Sequence, residues 1–232
     1  MPSGQASSGR DAKVVLALVT RTIPVNGPKN LLTAGTRIQQ MTIVVVDVRN
    51  FTLLSERLSH EMLAVIMGKF FRDATAQIEQ NRGVVDKFIG DAIMARWLAD
   101  NDALLSTVTA ALAAVQGIRG VTSALDREHC VLMDAFSVGC GINSGQAILG
   151  NVGAGGTREY TALGDSVNIA FRLETASKEL KKDVVIGPDS YRLLPKRLWE
   201  DSLQMVSVKN KKDPISVWPV TFAELDKSLP LV

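Results

Sequence analysis

The nine residues MTIVVVDVR (41–49) constrain the fold more than any other part of this chain. A continuous run of β-branched residues is typical of a strand that is covered on both faces, because the alternation of apolar and polar residues is missing. Asp47 stands near the end of this strand, where an unpaired carboxylate is costly to bury. The run therefore predicts a central strand whose terminal carboxylate either caps the next turn, RNFT, or binds something.

A second segment, VVDKFIGDAIMARW (84–97), has the pattern of a hairpin with Gly90 and Asp91 in its turn. Lys87 is unusual because it lies inside the apolar run. Taken alone, Asp91 is an ordinary turn residue. If the hairpin neighbours the first strand, however, Asp47 and Asp91 emerge at one edge of the sheet. Two hard oxygen ligands without a nearby histidine suit Mg²⁺ or Mn²⁺, which water and substrate phosphates usually complete.

The elements after the first strand alternate in a regular order. Ser59 is a candidate N-cap for a helix whose apolar residues recur at intervals of three and four as far as Ile78. The later patterns predict a helix over 102–125, the strands FSVGCGINSG and QAILGNVG, a Gly-rich loop at 153–159, a helix over 166–181, a strand at 184–186, a short helix near 188–194, and closing strands at 198–208 and 215–222. The order βαββαβ with additions predicts an α+β fold, with a ferredoxin-like core whose helices pack on one face of a largely antiparallel sheet.

Composition excludes several classes of protein. The chain has 232 residues, of which 46% are apolar, and this suits one sizeable domain. The net charge of +2, from acidic and basic residues mixed along the chain, argues against a nucleic-acid-binding surface. With only two histidines, a histidine-based metal site or catalytic triad is nearly excluded. Cys130 and Cys140 are expected to be reduced core thiols in a cytoplasmic protein.

The chain shows no pattern of membrane insertion or secretion. The most apolar segment, 103–118, contains Ser, Thr and Gln and is expected to be a buried helix. The first ten residues, MPSGQASSGR, are rich in Gly and Ser and lack an apolar signal core. We expect residues 1–38 to be a linker or the stub of an upstream region that is regulatory in the full-length protein.

Three further polar residues are candidates for a site. Asn168 and Arg172 are four positions apart, so they share one face of the predicted helix over 166–181. Lys209 follows an alternating apolar segment near a strand end. Taken alone, each of these residues is most simply a solvated surface side chain. The Gly-rich segments GNVGAGGT and GCGINSG match neither a P-loop nor a dinucleotide fingerprint, and predict turns and close backbone packing.

Five segments together resemble a class III nucleotidyl cyclase catalytic domain: VVVDVRNFTLLSE, VDKFIGDAIMA, GINSGQAILGNVG, EYTALGDSVNIAFRLE and VKNKKDPISVW. They occur in the family's order and cover about residues 40–222. The resemblance implies a catalytic domain over 39–224 and a C-terminal tail over 225–232. It also implies two Mg²⁺ or Mn²⁺ ions as cofactors.

The resemblance implies a role for each candidate residue. The metal ligands would be Asp47 and Asp91, assisted by the backbone carbonyl near Val48. Lys87, Thr161 and Phe51 would bind the substrate, and Asn168, Arg172 and Lys209 would be catalytic. Lys87 stands where adenylyl cyclases carry an adenine-reading lysine and guanylyl cyclases carry glutamate. The implied activity is conversion of ATP to cyclic AMP and pyrophosphate.

Two residues depart from the family's pattern. Thr161 replaces the aspartate that is usual in animal adenylyl cyclases. In having a threonine at this position, the chain resembles a bacterial subgroup that bicarbonate stimulates. Asn210 replaces a glycine that usually follows the phosphate-contacting lysine. Three alternatives remain: a guanylyl cyclase, which Lys87 disfavours; a diguanylate cyclase, whose Gly-Gly-Asp/Glu-Glu-Phe hairpin is missing; and an inactive regulatory module.

The resemblance also implies a head-to-tail homodimer with active sites at the interface. By that analogy we expect Asp47, Asp91 and Lys87 to come from one chain. Thr161, Asn168 and Arg172 would come from the other, so that a single chain holds two incomplete half-sites.

Overall fold

The computed structural model describes residues 35–99, 103–129, 136–154, 157–195, 198–207 and 213–229. Its strands are β1 (Arg37–Val48), β2 (Val84–Ile89), β3 (Ala92–Leu98), β4 (Val138–Ala154), β5 (Thr157–Leu163), β6 (Val184–Ile186), β7 (Gln204–Val206) and β8 (Ile215–Val220). Its α-helices are α1 (Phe51–Arg57), α2 (His60–Gln80), α3 (Leu104–Glu128), α4 (Asp165–Glu179), α5 (Pro188–Tyr191) and α6 (Phe222–Ser228).

The strands form one sheet in the order β2-β3-β1-β4-β6-β8-β7, and β5 pairs with β4 outside this path. β1 is central and runs antiparallel to both β3 and β4. The segment from β1 to β4 follows the order βαββαβ, with the four-strand arrangement β2-β3-β1-β4 of a ferredoxin-like core. The predicted α+β fold is therefore confirmed.

Both faces of β1 are covered, as its sequence predicts. Val44 and Val46 lie in a buried cluster with residues of α2 and α3. Ile43 and Val45 point to the opposite face, where α4 covers them through Val167 and its neighbours. The prediction that the helices pack on one face is wrong for α4, because an uninterrupted apolar strand needs cover on both sides.

The two long helices form where the apolar periodicity predicts them. Ser59 caps α2, and its hydroxyl accepts a hydrogen bond from the Met62 N–H at 3.2 Å. α3 meets the length and hydropathy expected of a membrane span. However, the residues that it buries, among them Leu112 and Val115, pack in the same cluster as α2 and the sheet. It is therefore placed as a core helix of the domain.

Three predictions about the second half of the chain are wrong. The segments FSVGCGINSG and QAILGNVG form one strand, β4, because β1 pairs with most of its length and β5 with its far end. The Gly-rich loop shrinks, since β4 reaches Ala154 and β5 begins at Thr157. The strand predicted over 198–208 is limited to β7 and is preceded by a 3₁₀ turn, Glu200–Ser202.

The ends of the domain are observed only in part. β1 begins at Arg37, and α6 extends to Ser228 with Leu225 fully buried. The proposed boundaries at 39 and 224 stay predictions. Cys140 is a buried free thiol, and burial raises its pKa. Cys130 lies outside the described residues.

Candidate active site

Asp47 and Asp91 meet where β1 ends beside the turn of the β2–β3 hairpin. Gly90 has φ 61°, a left-handed conformation that glycine adopts without a steric penalty, and it turns the chain ahead of Asp91. Burial first, and then repulsion by the nearby Asp91, raise the pKa of the Asp47 carboxyl to about 6. Burial also raises the pKa of Asp91. The two carboxyls therefore share one edge of the sheet, as the strand patterns predict.

The surroundings of this pair contain more charge than the sequence suggested. Glu174 of α4 is partly buried, and its pKa is raised to about 7 by burial and then by Asp47. Arg49 opposes these charges electrostatically, and its Nη2 donates to the Ser177 hydroxyl at 2.6 Å and to the Lys182 carbonyl at 3.1 Å. Arg49 thus ties the end of β1 to the end of α4.

The chemistry of the Asp47–Asp91 pair fits a divalent cation. Two partly buried carboxylates that repel each other hold a proton more tightly than in water, and a hard dication in place of that proton relieves both costs. Within the described ranges, no group of three or more Asp, Glu, His or Cys side chains converges to hold a metal. The remaining ligands would therefore come from water, substrate or backbone. Val48 is buried and pairs in register with Val138, and its role as a ligand stays a prediction.

Lys87 lies on β2 immediately after a β-bulge. The pairing of β2 with β3 shifts between Val85 and Lys87, so Asp86 is an extra residue in the strand. Lys87 faces Met94 in register and therefore points to the α4 side of the sheet. Its Nζ pairs with Glu159 Oε2 of β5 at 2.6 Å, and its side chain is 23% exposed.

The bulge residue Asp86 is the centre of a buried polar network. Its side chain is fully buried and accepts hydrogen bonds from Arg96 Nη1, from the Thr161 hydroxyl and, at 3.1 Å, from the Ala162 N–H. Thr161 is itself only 2% exposed. Thr161 and Lys87 are therefore near each other within one chain, because Thr161 contacts Asp86 of β2 and Lys87 contacts Glu159 of β5. The expectation that they come from different chains stays a prediction, and their proximity favours a division in which one chain supplies both.

Asn168 and Arg172 lie on one side of α4, as their spacing predicts, and both are half-buried. Neither side chain has a hydrogen-bond or ion-pair partner among the residues that the structure describes. α4 is held against β4 without a side chain between them: a Cβ on Gly141 would lie 2.2 Å from the Ala170 carbonyl oxygen. The close backbone packing expected of the GCGINSG segment is confirmed there.

The remaining candidates stay predictions. Lys209 and Asn210 lie outside the described residues. Phe51 is the first residue of α1, and its side chain packs against the core cluster that contains α2 and α3. The predicted site residues therefore fall into three separate groups. Asp47 lies with Asp91, Lys87 lies with Thr161, and Asn168 lies with Arg172.

Sequence reasoning missed four charged residues around these groups: Asp86, Arg96, Glu159 and Glu174. Charged residues inside otherwise apolar strands were the available signal for Asp86 and Arg96, because burial of such groups requires a partner. A bulge cannot be predicted from alternation, and neither can the side-chain contacts between β2 and β5. For this reason the partners of these residues could not be predicted from the sequence.

The comparison with known families identifies this geometry. Residues 34–220 match the Adenylate and Guanylate cyclase catalytic domain, which is most of the chain. The chain belongs to this family. The resemblance inferred from the five sequence segments is thereby confirmed.

Individual relatives agree with this assignment. The chain is 29% identical over 205 residues to the terminal-differentiation-specific adenylate cyclase of Dictyostelium discoideum, covering 87% of this chain but 10% of that protein. The crystal structure of the adenylyl cyclase CyaB from P. aeruginosa superposes with a TM-score of 0.69 at 26% identity, covering 80% of this chain and 95% of CyaB. The guanylyl cyclase Cya2 has the same fold, with a TM-score of 0.67 at 24% identity, covering 80% of this chain and 93% of Cya2. The chain thus spans a small part of its first curated relative.

Proposed function

We propose that this chain is the catalytic domain of an adenylyl cyclase, which converts ATP to 3′,5′-cyclic AMP and pyrophosphate. The observation that carries the proposal is that the paired strands place Asp47 and Asp91 at one edge of the sheet, where two partly buried carboxyls are suited to a divalent cation. Two Mg²⁺ or Mn²⁺ ions bound there would make the ribose 3′-hydroxyl more acidic and neutralise the triphosphate.

The preference for adenine rests on Lys87. An ammonium can donate to N1 of adenine, which is an acceptor, but not to N1 of guanine, which carries a hydrogen. One of the three ammonium hydrogens is used by Glu159, so two remain for a base. A buried mismatch costs about 1–3 kcal/mol for each unpaired polar group.

In the proposed reaction a bond forms between the ribose 3′-oxygen and the α-phosphorus while the bond from that phosphorus to the pyrophosphate oxygen breaks. Asn168 would hold the ribose in the attacking orientation. Arg172 and Lys209 would offset the negative charge that develops on the phosphoryl oxygens and on the leaving pyrophosphate. The lack of a described partner for Arg172 supports this role, since its guanidinium is free to bind a phosphate.

We further propose that two chains complete each active site. The geometry supports a division that differs from the one expected from sequence. Asp47 and Asp91 would come from one chain, and the partner would supply Lys87 with its neighbour Thr161, together with Asn168 and Arg172. A two-fold homodimer then has two equivalent sites.

Three further parts of the proposal rest on the sequence and on its resemblance to the family. Bicarbonate would stimulate turnover, because Thr161 is typical of the bacterial subgroup that responds to it. If millimolar bicarbonate at fixed pH and ionic strength raises turnover with neither metal, this part is wrong. Regulatory domains would lie upstream in the full-length protein. The domain would act in the cytoplasm, without nucleic acid and without inserting into a membrane.

The test is incubation of the chain with ATP or GTP and Mg²⁺ or Mn²⁺, with the products separated by chromatography. We expect cyclic AMP from ATP and much less cyclic GMP from GTP. Asp47→Ala and Asp91→Ala should each abolish the product while the fold, measured by circular dichroism, is kept. Cyclic GMP as the main product would favour the guanylyl cyclase, and no product at all from the folded dimer would favour an inactive module.

A further inference from the structure

The Asp86 carboxylate fixes the direction of the hydrogen bond that it makes with Thr161. Its side chain is fully buried and is paired with Arg96, whose side chain is 7% exposed. A carboxylate can only accept, so the Thr161 hydroxyl must donate to it. The hydroxyl proton of Thr161 is therefore used in a hydrogen bond within the protein. Toward any other group, such as a bound base, the Thr161 oxygen can only accept a hydrogen bond.

An acceptor at this position distinguishes the two purines. Adenine carries an amino group at C6, which donates, whereas guanine carries an oxygen at C6, which accepts. When its proton points to Asp86, the Thr161 oxygen can accept a hydrogen bond from the adenine amino group. It cannot form a hydrogen bond with the guanine oxygen, because both atoms are acceptors. Asp86 also precedes Lys87 in the β2 bulge, so the same residue sets the place of both base-reading groups.

We propose that Asp86 is a positioning residue for purine selection: by holding the proton of Thr161, it makes that hydroxyl an acceptor and so favours ATP over GTP. This inference rests on the proposed function, since it requires a purine nucleotide next to Lys87 and Thr161. Asp86 itself need not touch the nucleotide.

Asp86→Asn is the informative change. Arg96 Nη1 and the Ala162 N–H both donate to Oδ2, so the amide oxygen of the variant would keep that place and its NH₂ group would face Thr161. The amide then donates to the Thr161 oxygen and frees the hydroxyl proton to point toward the base, where it matches the guanine oxygen. We expect the ratio of kcat/KM for ATP to that for GTP to fall about tenfold or more in D86N.

Four further variants keep the test decisive. D86N leaves Arg96 buried without its counter-charge, which can prevent folding, whereas D86N/R96Q removes both charges together. Thr161→Ser keeps the hydroxyl and should keep the wild-type ratio; Thr161→Val should lower it. Adding D86N to T161V should then change the ratio no further.

The outcomes separate this inference from the proposed function. If the wild-type chain cyclises neither nucleotide, the proposed function is wrong. If the wild type prefers ATP but folded D86N or D86N/R96Q keeps the ratio within twofold while turnover of both nucleotides falls, Asp86 has only a structural role. A wild-type ratio in T161V overturns the inference as well, whether or not the Asp86 variants fold.

Discussion

In the metal-free chain, the surroundings of Asp47 destabilise the ionised form of its carboxyl. Its pKa is raised from 3.8 to about 6, mainly by burial and then by the neighbouring Asp91. A group whose pKa is higher in the folded than in the unfolded chain stabilises the fold at low pH, and that contribution is lost as the pH rises through the folded value. At neutral pH, Asp47 therefore lowers the free energy of unfolding of the metal-free domain, although it is the residue best suited to bind a cation.

Asp47→Asn should therefore stabilise the metal-free chain at pH 8, by about 1–2 kcal/mol once solvent screening is allowed for. The advantage should decrease as the pH falls below about 6 and vanish only below the unfolded pKa of 3.8, where the wild-type carboxyl is protonated in both states. Thermal unfolding in a chelator across this pH range measures it. Added Mn²⁺ should raise the melting temperature of the wild type but not of D47N; a pH-independent difference would contradict the assigned pKa.

Lys87→Glu should lower ATP turnover, because it replaces a donor toward adenine N1 with an acceptor and sets two carboxylates side by side at Glu159. It should not produce an efficient guanylyl cyclase, since the Thr161 hydroxyl also contributes. Glu159→Gln is the matched control: it removes the same surface ion pair, worth at most about 1 kcal/mol, and leaves the lysine in place. An unchanged ATP/GTP preference in K87E would show that Lys87 does not read the base.

Among the secondary-structure elements, the close packing of α4 on β4 ties the candidate catalytic side chains to the sheet. Gly141→Ala would bring a methyl group to within 2.3 Å of backbone atoms of Ala170 and Glu174, so α4 must shift. We expect a loss of about 2–3 kcal/mol in the free energy of unfolding, measured in urea, and a lower turnover in the folded fraction. Gly120→Ala on α3 is the control, because its Cβ would meet nothing within 4 Å and should stabilise the helix slightly.

The sequence predicted those elements whose signals are local. β1, the hairpin and α2 each have a strong apolar period or turn chemistry, and all three form as predicted. β4 was divided in error because glycines usually interrupt strands, whereas here pairing with both β1 and β5 holds the extended backbone. The proximity of Asp47 and Asp91 could be predicted from the sequence, because it follows from strand order. The position of Thr161 could not, because it depends on a bulge and on a contact between distant strands.

At the scale of the whole molecule, the division of the site between chains can be tested by mixing inactive variants. Asp47→Ala and Arg172→Ala should each be nearly inactive alone. In a mixed dimer one site collects both defects and the other collects neither. Random exchange at equal amounts makes about half the dimers mixed, so roughly a quarter of the wild-type activity should return.

The same experiment distinguishes the division that we propose from the one expected from sequence. If Lys87 lies in the same half-site as Thr161 and Arg172, mixing D47A with K87E should also restore about a quarter, whereas mixing K87E with R172A should restore nothing. If Lys87 belonged with Asp47, the two results would be reversed. Exchange must be verified by mass or fluorescence, and folded, exchanging variants that recover nothing in any pair would contradict a shared site.

The bulge at Asp86 also bears on how this hairpin can change during evolution. Val85 lies opposite Ala95 and Lys87 opposite Met94, so the residues on both sides of the bulge are already in phase with β3. Loss of Asp86 alone would therefore restore regular pairing and leave every other residue of β2 on its present face. What such a deletion removes is the buried carboxylate that Arg96 and Thr161 share, so the hydrogen bonds of Asp86, and not the pairing of the strands, are what the bulge preserves.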